Sequence, residues 1–234
     1  MPSSRWHFLC AVIGRPDYDE RMSAVPTPHR HAHWAFFRQW LKNPLAVAAV
    51  SPSSPQLARL MTAALPAGSQ RVIELGGGTG AITRALLDTG IAPSALMVLE
   101  LSEVMHQTLR QRFPEVNLHL ADAVDVHRLA ATSGFLDATP ADAVVSGLGL
   151  LSMPRPMQRA ILEESFACLR PEGRFIQFTY GPASPVAREV LDALDLDVRR
   201  TSFTWWNVPP ASVYVYQRLR SRAVPARPMG LRAG

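Results

Sequence analysis

A short segment, Val72-Ile73-Glu74-Leu75-Gly76-Gly77-Gly78-Thr79-Gly80, joins an apolar run to a glycine-rich turn. Residues 72–75 predict a buried strand, because they are apolar, begin with β-branched side chains and contain one acid. The residues that follow, 81–87, place apolar side chains at a helical period. A strand, a glycine turn and a helix in this order are typical of the opening βαβ unit of a nucleotide-binding α/β domain.

The spacing of the glycines narrows the class of ligand. They form G-x-G-x-G, and an acid stands two residues before the first of them. A dinucleotide-binding turn would need glycine where Ala81 stands, and a phosphate-binding loop would need Gly-Lys-Ser/Thr. The pattern E-x-G-x-G-x-G is typical of S-adenosylmethionine-dependent methyltransferases; the alternative is a plain strand-turn-helix of another α/β domain. The residues expected to bind S-adenosylmethionine in this segment are Glu74, Gly76, Gly78, Thr79 and Gly80.

Length and composition bound the class of protein. The 234 residues suit one α/β domain with an extension, and 47 % of them are hydrophobic, which is enough for a core. Cys10 and Cys168 lie too far apart in sequence to suggest a disulfide framework, and no metal site is predicted. The net charge of +5 favours anionic partners, either lipid headgroups or nucleic acid. No apolar run is long enough to span a bilayer, and no signal peptide is predicted.

The chain is expected to divide into four parts. Residues 1–32 and 220–234 show no hydrophobic period and are rich in arginine and proline, which predicts a disordered leader and a disordered basic tail. Residues 33–66 are predicted to form a helical extension, and residues 67–219 to form the methyltransferase domain.

An amphipathic helix is predicted over about residues 33–43. Aromatic side chains recur on one face, cations lie off it, and Pro44 interrupts the period. This pattern suits a helix in a membrane interface, and the alternative is a lid packed over the cofactor. The residues expected to contact the membrane are Trp34, Phe37, Arg38, Trp40, Leu41 and Lys42.

A second helix is predicted over residues 56–65, with Ser54 as its N-cap and Pro55 at its first position. Ser51 and Ser53 lie just before it. They are expected to reach the cofactor's carboxylate, and the alternative is that they serve only as caps.

Acids follow the next two predicted strands. Strand 96–100 ends at Glu100, where a carboxylate accepts hydrogen bonds from both ribose hydroxyls of a nucleoside, and Leu101 joins this site. A helix over 104–113 leads to strand 116–120, after which Asp122 and Ala123 are placed to meet the adenine; the alternative for Asp122 is a turn residue. Residues 129–140 are expected to be irregular.

The fourth strand, 141–146, ends at Ser146 and leads into an apolar loop that reaches Pro154. Ligands of open α/β sheets lie outside this edge, so the loop is expected to meet the transferred methyl group. A nucleic-acid adenine methylase would carry Asn/Asp-Pro-Pro-aromatic here, and this loop has none of it. The small apolar residues of this loop suit a substrate whose amine is attached to a hydrophobic or flexible molecule.

A helix over 156–169 and a strand over 174–180 come next. Ser184 and Pro185 predict a helix N-terminus that binds anions, so Tyr180, Ser184 and Arg188 are expected to hold a substrate phosphate. The alternative for Tyr180 is a residue at the rim of the core. Strands 198–206 and 212–219 end the domain, and Trp205 with its neighbour Trp206 is either core or a second interfacial patch.

Together the pieces resemble the bacterial phospholipid N-methyltransferases that methylate phosphatidylethanolamine, over about residues 36–218. The resemblance lies in Phe36-Phe37-Arg38-Gln39-Trp40, Ser51-Pro52-Ser53-Ser54, Glu74-Leu75-Gly76-Gly77-Gly78-Thr79-Gly80, Val145-Ser146, Thr179-Tyr180-Gly181-Pro182 with Ser184-Pro185, and Asn207-Val208-Pro209-Pro210. It implies S-adenosylmethionine as cofactor, S-adenosylhomocysteine as product, and peripheral binding to the inner membrane from the cytoplasm. One departure is Gly149, where the family often has proline.

The expected fold is a Rossmann-like α/β class I methyltransferase fold, with a seven-stranded open sheet whose last two strands are an antiparallel pair. The expected reaction methylates phosphatidylethanolamine and its mono- and dimethyl forms toward phosphatidylcholine, with Tyr180 and Ser146 as catalytic residues and Trp40 also touching the substrate. No nucleic acid and no obligate protein partner are expected. The alternatives are an RNA adenine N6-methyltransferase of the rRNA dimethylase type and a membrane-binding protein that has lost catalysis.

Overall fold

The computed structural model of the chain describes residues 54–180, 183–205 and 210–219. The strands of this part are β1 (Val72–Leu75), β2 (Leu96–Glu100), β3 (Asn117–Leu120), β4 (Ala141–Ser146), β5 (Leu169–Thr179), β6 (Leu196–Thr204) and β7 (Ala211–Arg218). The helices are α1 (Pro55–Thr62), α2 (Ala81–Asp88), α3 (Glu103–Arg112), α4 (Val126–Thr132), α5 (Arg155–Cys168) and α6 (Arg188–Ala193).

The seven strands form one sheet in the order β3-β2-β1-β4-β5-β7-β6. Strands β1 to β5 are parallel, and β7 runs antiparallel to both β5 and β6. Strand β6 therefore points the same way as β5, so six strands end at one edge, which we call the C-terminal edge. The order reverses between β1 and β4, where ligands of open α/β sheets bind. The predicted fold, including the antiparallel pair, is confirmed.

Helices cover both faces of the sheet. Because successive side chains of a strand point to opposite faces, Val72 and Ile73 enter different core clusters. Ile73 packs in the cluster that buries α4, α5 and α6, and Val72 packs in the one that buries α1, α2 and α3. Helix α1 begins as predicted, because the Ser54 hydroxyl accepts from the Leu57 N–H at 3.1 Å and Pro55 takes the first position.

Helix α4 and the start of β5 are among the stretches that differ from the expectations, and β6 spans Leu196–Thr204 rather than 198–206. Helix α4 occupies part of the segment expected to be irregular, because Val126 and Ala130, four residues apart, are both fully buried. Strand β5 begins at Leu169 rather than at residue 174, since Leu169 already pairs with Ala141 before the register shifts.

No helix in ranges 54–180, 183–205 and 210–219 is both long and apolar enough to cross a bilayer.

Candidate cofactor and substrate site

The glycine turn is fastened to the neighbouring strand and leaves an open cradle. The N–H groups of Gly76 and Gly77 both point to the Leu99 carbonyl, at 2.8 and 3.4 Å. Gly78 has φ +51° and no heavy atom closer than 4.0 Å to where a Cβ would stand, so its surroundings are open. Gly80 differs: a Cβ there would lie 2.6 Å from the Phe113 ring. Gly80 therefore serves close packing of the helix, and Gly78 is the glycine that lines open space.

Glu100 lies at the end of β2, as predicted, and its carboxylate closes one side of the cradle. Its Oε2 accepts from the Gly78 N–H at 2.8 Å, and its Oε1 accepts from the Ser102 N–H at 2.8 Å. The residue is 5 % exposed. Each carboxylate oxygen can accept a further bond, so Glu100 could receive two hydroxyl donors while still holding the turn.

Glu74 lies beneath the turn and is fully buried. Its Oε2 accepts from the Thr83 hydroxyl at 2.7 Å, and its Oε1 has no hydrogen-bond partner within the described ranges. Burial raises the pKa of Glu74 from 4.5 to about 8; the Thr83 bond opposes this rise and the nearby Glu100 carboxylate adds to it. The Glu74 Oε1 therefore keeps an unused capacity to accept a hydrogen bond.

Asp122 has a local structural role. Its Oδ1 accepts from the Val124 N–H at 3.2 Å and caps the short turn Ala123–Asp125, which matches the turn-residue alternative. Asp122 and Leu101 are half-buried, and Ala123 is buried. All three lie after β2 or β3 at the C-terminal edge, so an adenine contact by Asp122 is compatible with its cap.

Ser146 and Gln177 form a buried polar pair at the ends of β4 and β5, where they are register partners. The Ser146 hydroxyl accepts from the Leu148 N–H at 3.3 Å. The Gln177 Nε2 donates to the carbonyls of Leu148 and Phe178 at 2.8 and 2.7 Å, and its Oε1 has no partner among the described residues. Gln177 was missed from sequence, although an amide inside an apolar strand was a usable signal.

Gln158 was also missed, and it joins the loop after β4 to the segment before α6. Its Nε2 donates to the carbonyls of Leu150, Met153 and Pro185 at 2.9, 3.2 and 3.2 Å. Its Oε1 accepts from the Ala187 N–H at 3.0 Å. One buried amide therefore fixes both loops that border the β4–β5 edge.

The helix N-terminus predicted at Ser184, which was expected to bind a substrate phosphate, is wrong. Helix α6 begins at Arg188 with Ala187 as N-cap, and Ser184 is not its cap. The Ser184 hydroxyl instead lies 2.8 Å from the Tyr216 hydroxyl and accepts from the Val186 N–H at 3.3 Å. Arg188 is exposed and bonds Asp192 at 3.0 Å. The sequence after Pro185 favours a turn, because the buried Val186 side chain must reach the core first.

Tyr180 lies where β5 ends and packs edge-on against Phe178, with ring centroids 5.4 Å apart. It is half-buried beside the core cluster of α1 to α3, which agrees with the rim alternative. The remaining predicted contacts lie outside the described residues: Trp34, Phe37, Arg38, Trp40, Leu41, Lys42, Ser51 and Ser53.

The described residues fit S-adenosylmethionine. This cofactor offers hydrogen-bond donors from an ammonium group, two ribose hydroxyls and an adenine amine. The edge offers an open glycine cradle at Gly78, a carboxylate with spare acceptor capacity at Glu100 and a buried oxygen without a partner at Glu74. Donors and acceptors are therefore complementary.

Comparison with known proteins agrees with this geometry. A family model described as a methyltransferase domain matches residues 72–173. An ornithine lipid N-methyltransferase of Singulisphaera acidiphila is 32 % identical over 183 residues, which are 76 % of this chain and 92 % of the relative. A ribosomal RNA small subunit methyltransferase A of Chlorobium luteolum is 40 % identical over 78 residues, only 32 % of this chain and 28 % of the relative.

Solved structures share the fold at low sequence identity. The glycopeptide N-methyltransferase MtfA complexed with S-adenosylmethionine has a TM-score of 0.57 at 16 % identity, covering 73 % of this chain and 96 % of that one. The 1,6-didemethyltoxoflavin N1-methyltransferase of Burkholderia thailandensis, with 1,6-didemethyltoxoflavin and S-adenosylhomocysteine bound, has a TM-score of 0.56 at 17 % identity, covering 88 % of this chain and 100 % of that one. The chain therefore belongs to the bacterial lipid N-methyltransferases of the class I fold, and its cofactor is S-adenosylmethionine.

Proposed function

We propose that the protein transfers methyl groups from S-adenosylmethionine to the amine of phosphatidylethanolamine and of its mono- and dimethyl forms. The observation that best supports a lipid amine as the methyl acceptor is the similarity to an ornithine lipid N-methyltransferase over 92 % of that relative's length. The apolar loop after Ser146 supports it, because the loop lacks a motif that would grip and stack a nucleobase.

Cofactor binding is assigned to the C-terminal edges of β1, β2 and β3. In this proposal Glu100 accepts the ribose hydroxyls, and the Glu74 carboxyl accepts a donor from the methionine end. The cofactor is proposed to lie against the backbone of Gly78, because a side chain at this position would collide with it. The residues proposed to bind the cofactor are Glu74, Gly76, Gly78, Thr79, Gly80, Glu100, Leu101, Asp122, Ala123, Ser146, Ser51 and Ser53.

The cofactor supplies an electrophilic methyl group on a sulfonium. When bound, it would give up this methyl group to the lipid nitrogen, and S-adenosylhomocysteine would be the product. The lipid ammonium must first release a proton to bulk water, and burial in the apolar loop favours this because it lowers the pKa of an amine. Ser146 and Tyr180 are proposed to orient it through their oxygens, so alignment and exclusion of water provide most of the rate enhancement.

Phosphate recognition rests on fewer residues than expected from sequence, because α6 begins past Ser184. Tyr180 remains the proposed headgroup contact, with Trp40 outside the described residues. Tyr180→Phe should lose most transfer activity while cofactor affinity stays nearly intact, which equilibrium titration and initial rates would measure. Equal loss of both would contradict a headgroup role.

Ornithine lipid is a second candidate substrate, and the curated relative specifically favours it. Ornithine itself carries an amine and no phosphate, so the shorter set of phosphate contacts does not count against it. An RNA amine is less well supported, because the RNA methyltransferase relative matches only 32 % of this chain.

The proposed location is peripheral, on the cytoplasmic side of the inner membrane, with the segment 33–43 as the first membrane contact. The test supplies labelled S-adenosylmethionine with vesicles containing phosphatidylethanolamine, vesicles containing ornithine lipid, or total RNA. Label in the phosphatidylethanolamine headgroup, reduced by deleting residues 33–43, would support the proposal. Label in ornithine lipid alone would show that ornithine lipid, not phosphatidylethanolamine, is the substrate, and a lipid amine would still be the methyl acceptor. Label in RNA alone would refute both lipid substrates.

A further inference from the structure

An exposed aromatic pair lies at the C-terminal edge of the sheet. Trp205 is 75 % exposed and Phe203 is 43 % exposed. Their ring centroids are 4.8 Å apart and the rings are nearly perpendicular, at 85°. The exposure excludes the core alternative for Trp205. Two adjacent large aromatic side chains left in water are unfavourable unless a partner covers them.

Two arginines, Arg199 and Arg200, lie on the edge strand β6 shortly before the aromatic pair. Arg200 pairs with Tyr214 and Phe203 with Ser212, two residues apart on β7, so Arg200 and Phe203 point to the same face. Arg199 precedes them on the opposite face, and both arginines are exposed. Within the described ranges, the salt bridges involve other arginines. On its own face the aromatic pair is therefore bordered by Arg200, which forms no salt bridge within the described ranges.

The position of this surface relates it to the cofactor site. Strand β6 is parallel to β5 and ends with it, so Trp205 emerges at the edge that carries Ser146 and Glu100. Three strand spacings separate β6 from β4, which is about 14 Å across the sheet. A flat surface that touches Trp205 would therefore lie near the edge at which the substrate amine is proposed to react.

We propose that Arg200, Phe203 and Trp205 form a contact with membranes that contain anionic lipids, in addition to the segment 33–43. This inference rests on the proposed lipid function. Indole rings favour the membrane interface because they are apolar with one polar N–H, and arginine beside them pairs with anionic headgroups. The perpendicular packing of Phe203 and Trp205 does not offer two parallel ring faces, which stacking nucleobases would use.

The test measures co-sedimentation with vesicles of phosphatidylglycerol and phosphatidylcholine, which contain no amine that can be methylated. Binding is thereby separated from transfer, so failure of either proposal is visible alone. The double variant Phe203→Ser with Trp205→Ser should bind roughly tenfold more weakly, as expected for two apolar side chains withdrawn from the interface. The matched control is Leu219→Ser, which removes an apolar side chain 58 % exposed at the opposite edge and should bind like the wild type.

A second variant tests the charge. Arg200→Gln should weaken binding to the anionic vesicles and leave binding to pure phosphatidylcholine unchanged. The proposal is overturned if the double variant binds anionic vesicles as well as Leu219→Ser does. It is equally overturned if the double variant loses affinity for single-stranded RNA and keeps its affinity for vesicles.

Discussion

At the scale of single residues, Glu100 is the side chain that best supports the proposed cofactor site. Its two carboxylate oxygens already hold the N–H groups of Gly78 and Ser102, so its position is set before a ligand arrives. Glu100→Ala should weaken S-adenosylmethionine binding at least about tenfold, since a hydrogen bond to a charged group contributes roughly 1.5–3 kcal/mol. Titration calorimetry measures this, with the exposed Glu103→Ala as control. Unchanged affinity would contradict the ribose assignment.

Glu74 predicts an unusual pH dependence of stability. Its pKa rises from 4.5 to about 8 on folding, so below about pH 4.5 the carboxyl is protonated in both states. Between these values the unfolded carboxyl is ionised and the folded one keeps its proton, so folding becomes less favourable as pH rises, and the whole cost is present above pH 8. Unfolding of the cofactor-free protein at pH 5 and pH 8 should therefore show a loss of a few kcal/mol attributable to this group.

Glu74→Gln should remove that part of the pH dependence, because its amide stays neutral throughout. The comparison is between the slopes of unfolding free energy against pH for the wild type, Glu74→Gln and the exposed control Glu103→Gln. Identical slopes in all three would mean that Glu74 does not carry a proton in the folded protein.

At the scale of elements, Gln158 fixes the two loops beside the β4–β5 edge. Gln158→Met fills the same space but leaves the Leu150, Met153 and Pro185 carbonyls and the Ala187 N–H without this amide. Each buried group left unsatisfied costs about 1–3 kcal/mol, so the urea midpoint should fall by an amount that corresponds to at least about 2 kcal/mol. The matched control Gln107→Met changes an exposed glutamine on α3. Equal midpoints for the two variants would show that the amide contributes no stability.

The backbone of the loop after β4 at Gly149 is already close to a conformation that proline adopts. Gly149 has φ −78° and ψ 58°, and the Leu150 N–H reaches the Leu148 carbonyl at 2.9 Å, so it is the centre of an inverse γ-turn. No atom lies within 4 Å of a Cβ there. Gly149→Pro should therefore stabilise the protein by about 0.4–1 kcal/mol in urea unfolding.

A neighbouring glycine provides the contrast for that variant. The Gly147 N–H donates to the Leu75 carbonyl at 2.8 Å, and a Cβ on Gly147 would lie 2.7 Å from the Gly76 carbonyl oxygen. Gly147→Pro should thus destabilise the protein. Destabilisation by both prolines would show that the turn at Gly149 is not preformed.

Features of the fold and the site could be predicted from sequence when the residues that form them lie close together in the chain. Strands β2 and β4 were located to the residue, because parallel strands buried on both faces read as apolar runs. Glu100 was found because it ends such a run. Gln158 and Gln177 were not, since each has a carbonyl partner in a distant segment: Pro185 is 27 residues from Gln158, and Leu148 is 29 residues from Gln177. Ser184 was misassigned because a Ser-Pro pair suits both a helix start and the turn that precedes α6.

At the scale of the whole molecule, the proposed cofactor site, the loop after β4 and the proposed membrane contact at Trp205 all lie at the C-terminal edge of the sheet. The described residues proposed to bind the cofactor lie on or just after β1 to β4, and the antiparallel pair β6 and β7 extends the same edge. This arrangement suits an enzyme whose substrate stays in a surface while its amine is presented to the methyl donor. The net charge of +5 fits such a surface if it is anionic.

The central claim is that a lipid amine receives the methyl group. The most direct measurement places phosphatidylethanolamine vesicles and total RNA in one reaction with methyl-labelled S-adenosylmethionine, and separates lipid from RNA before counting. The account predicts label in mono-, di- and trimethylated headgroups and none above background in RNA. Label in RNA with unlabelled lipid would contradict it.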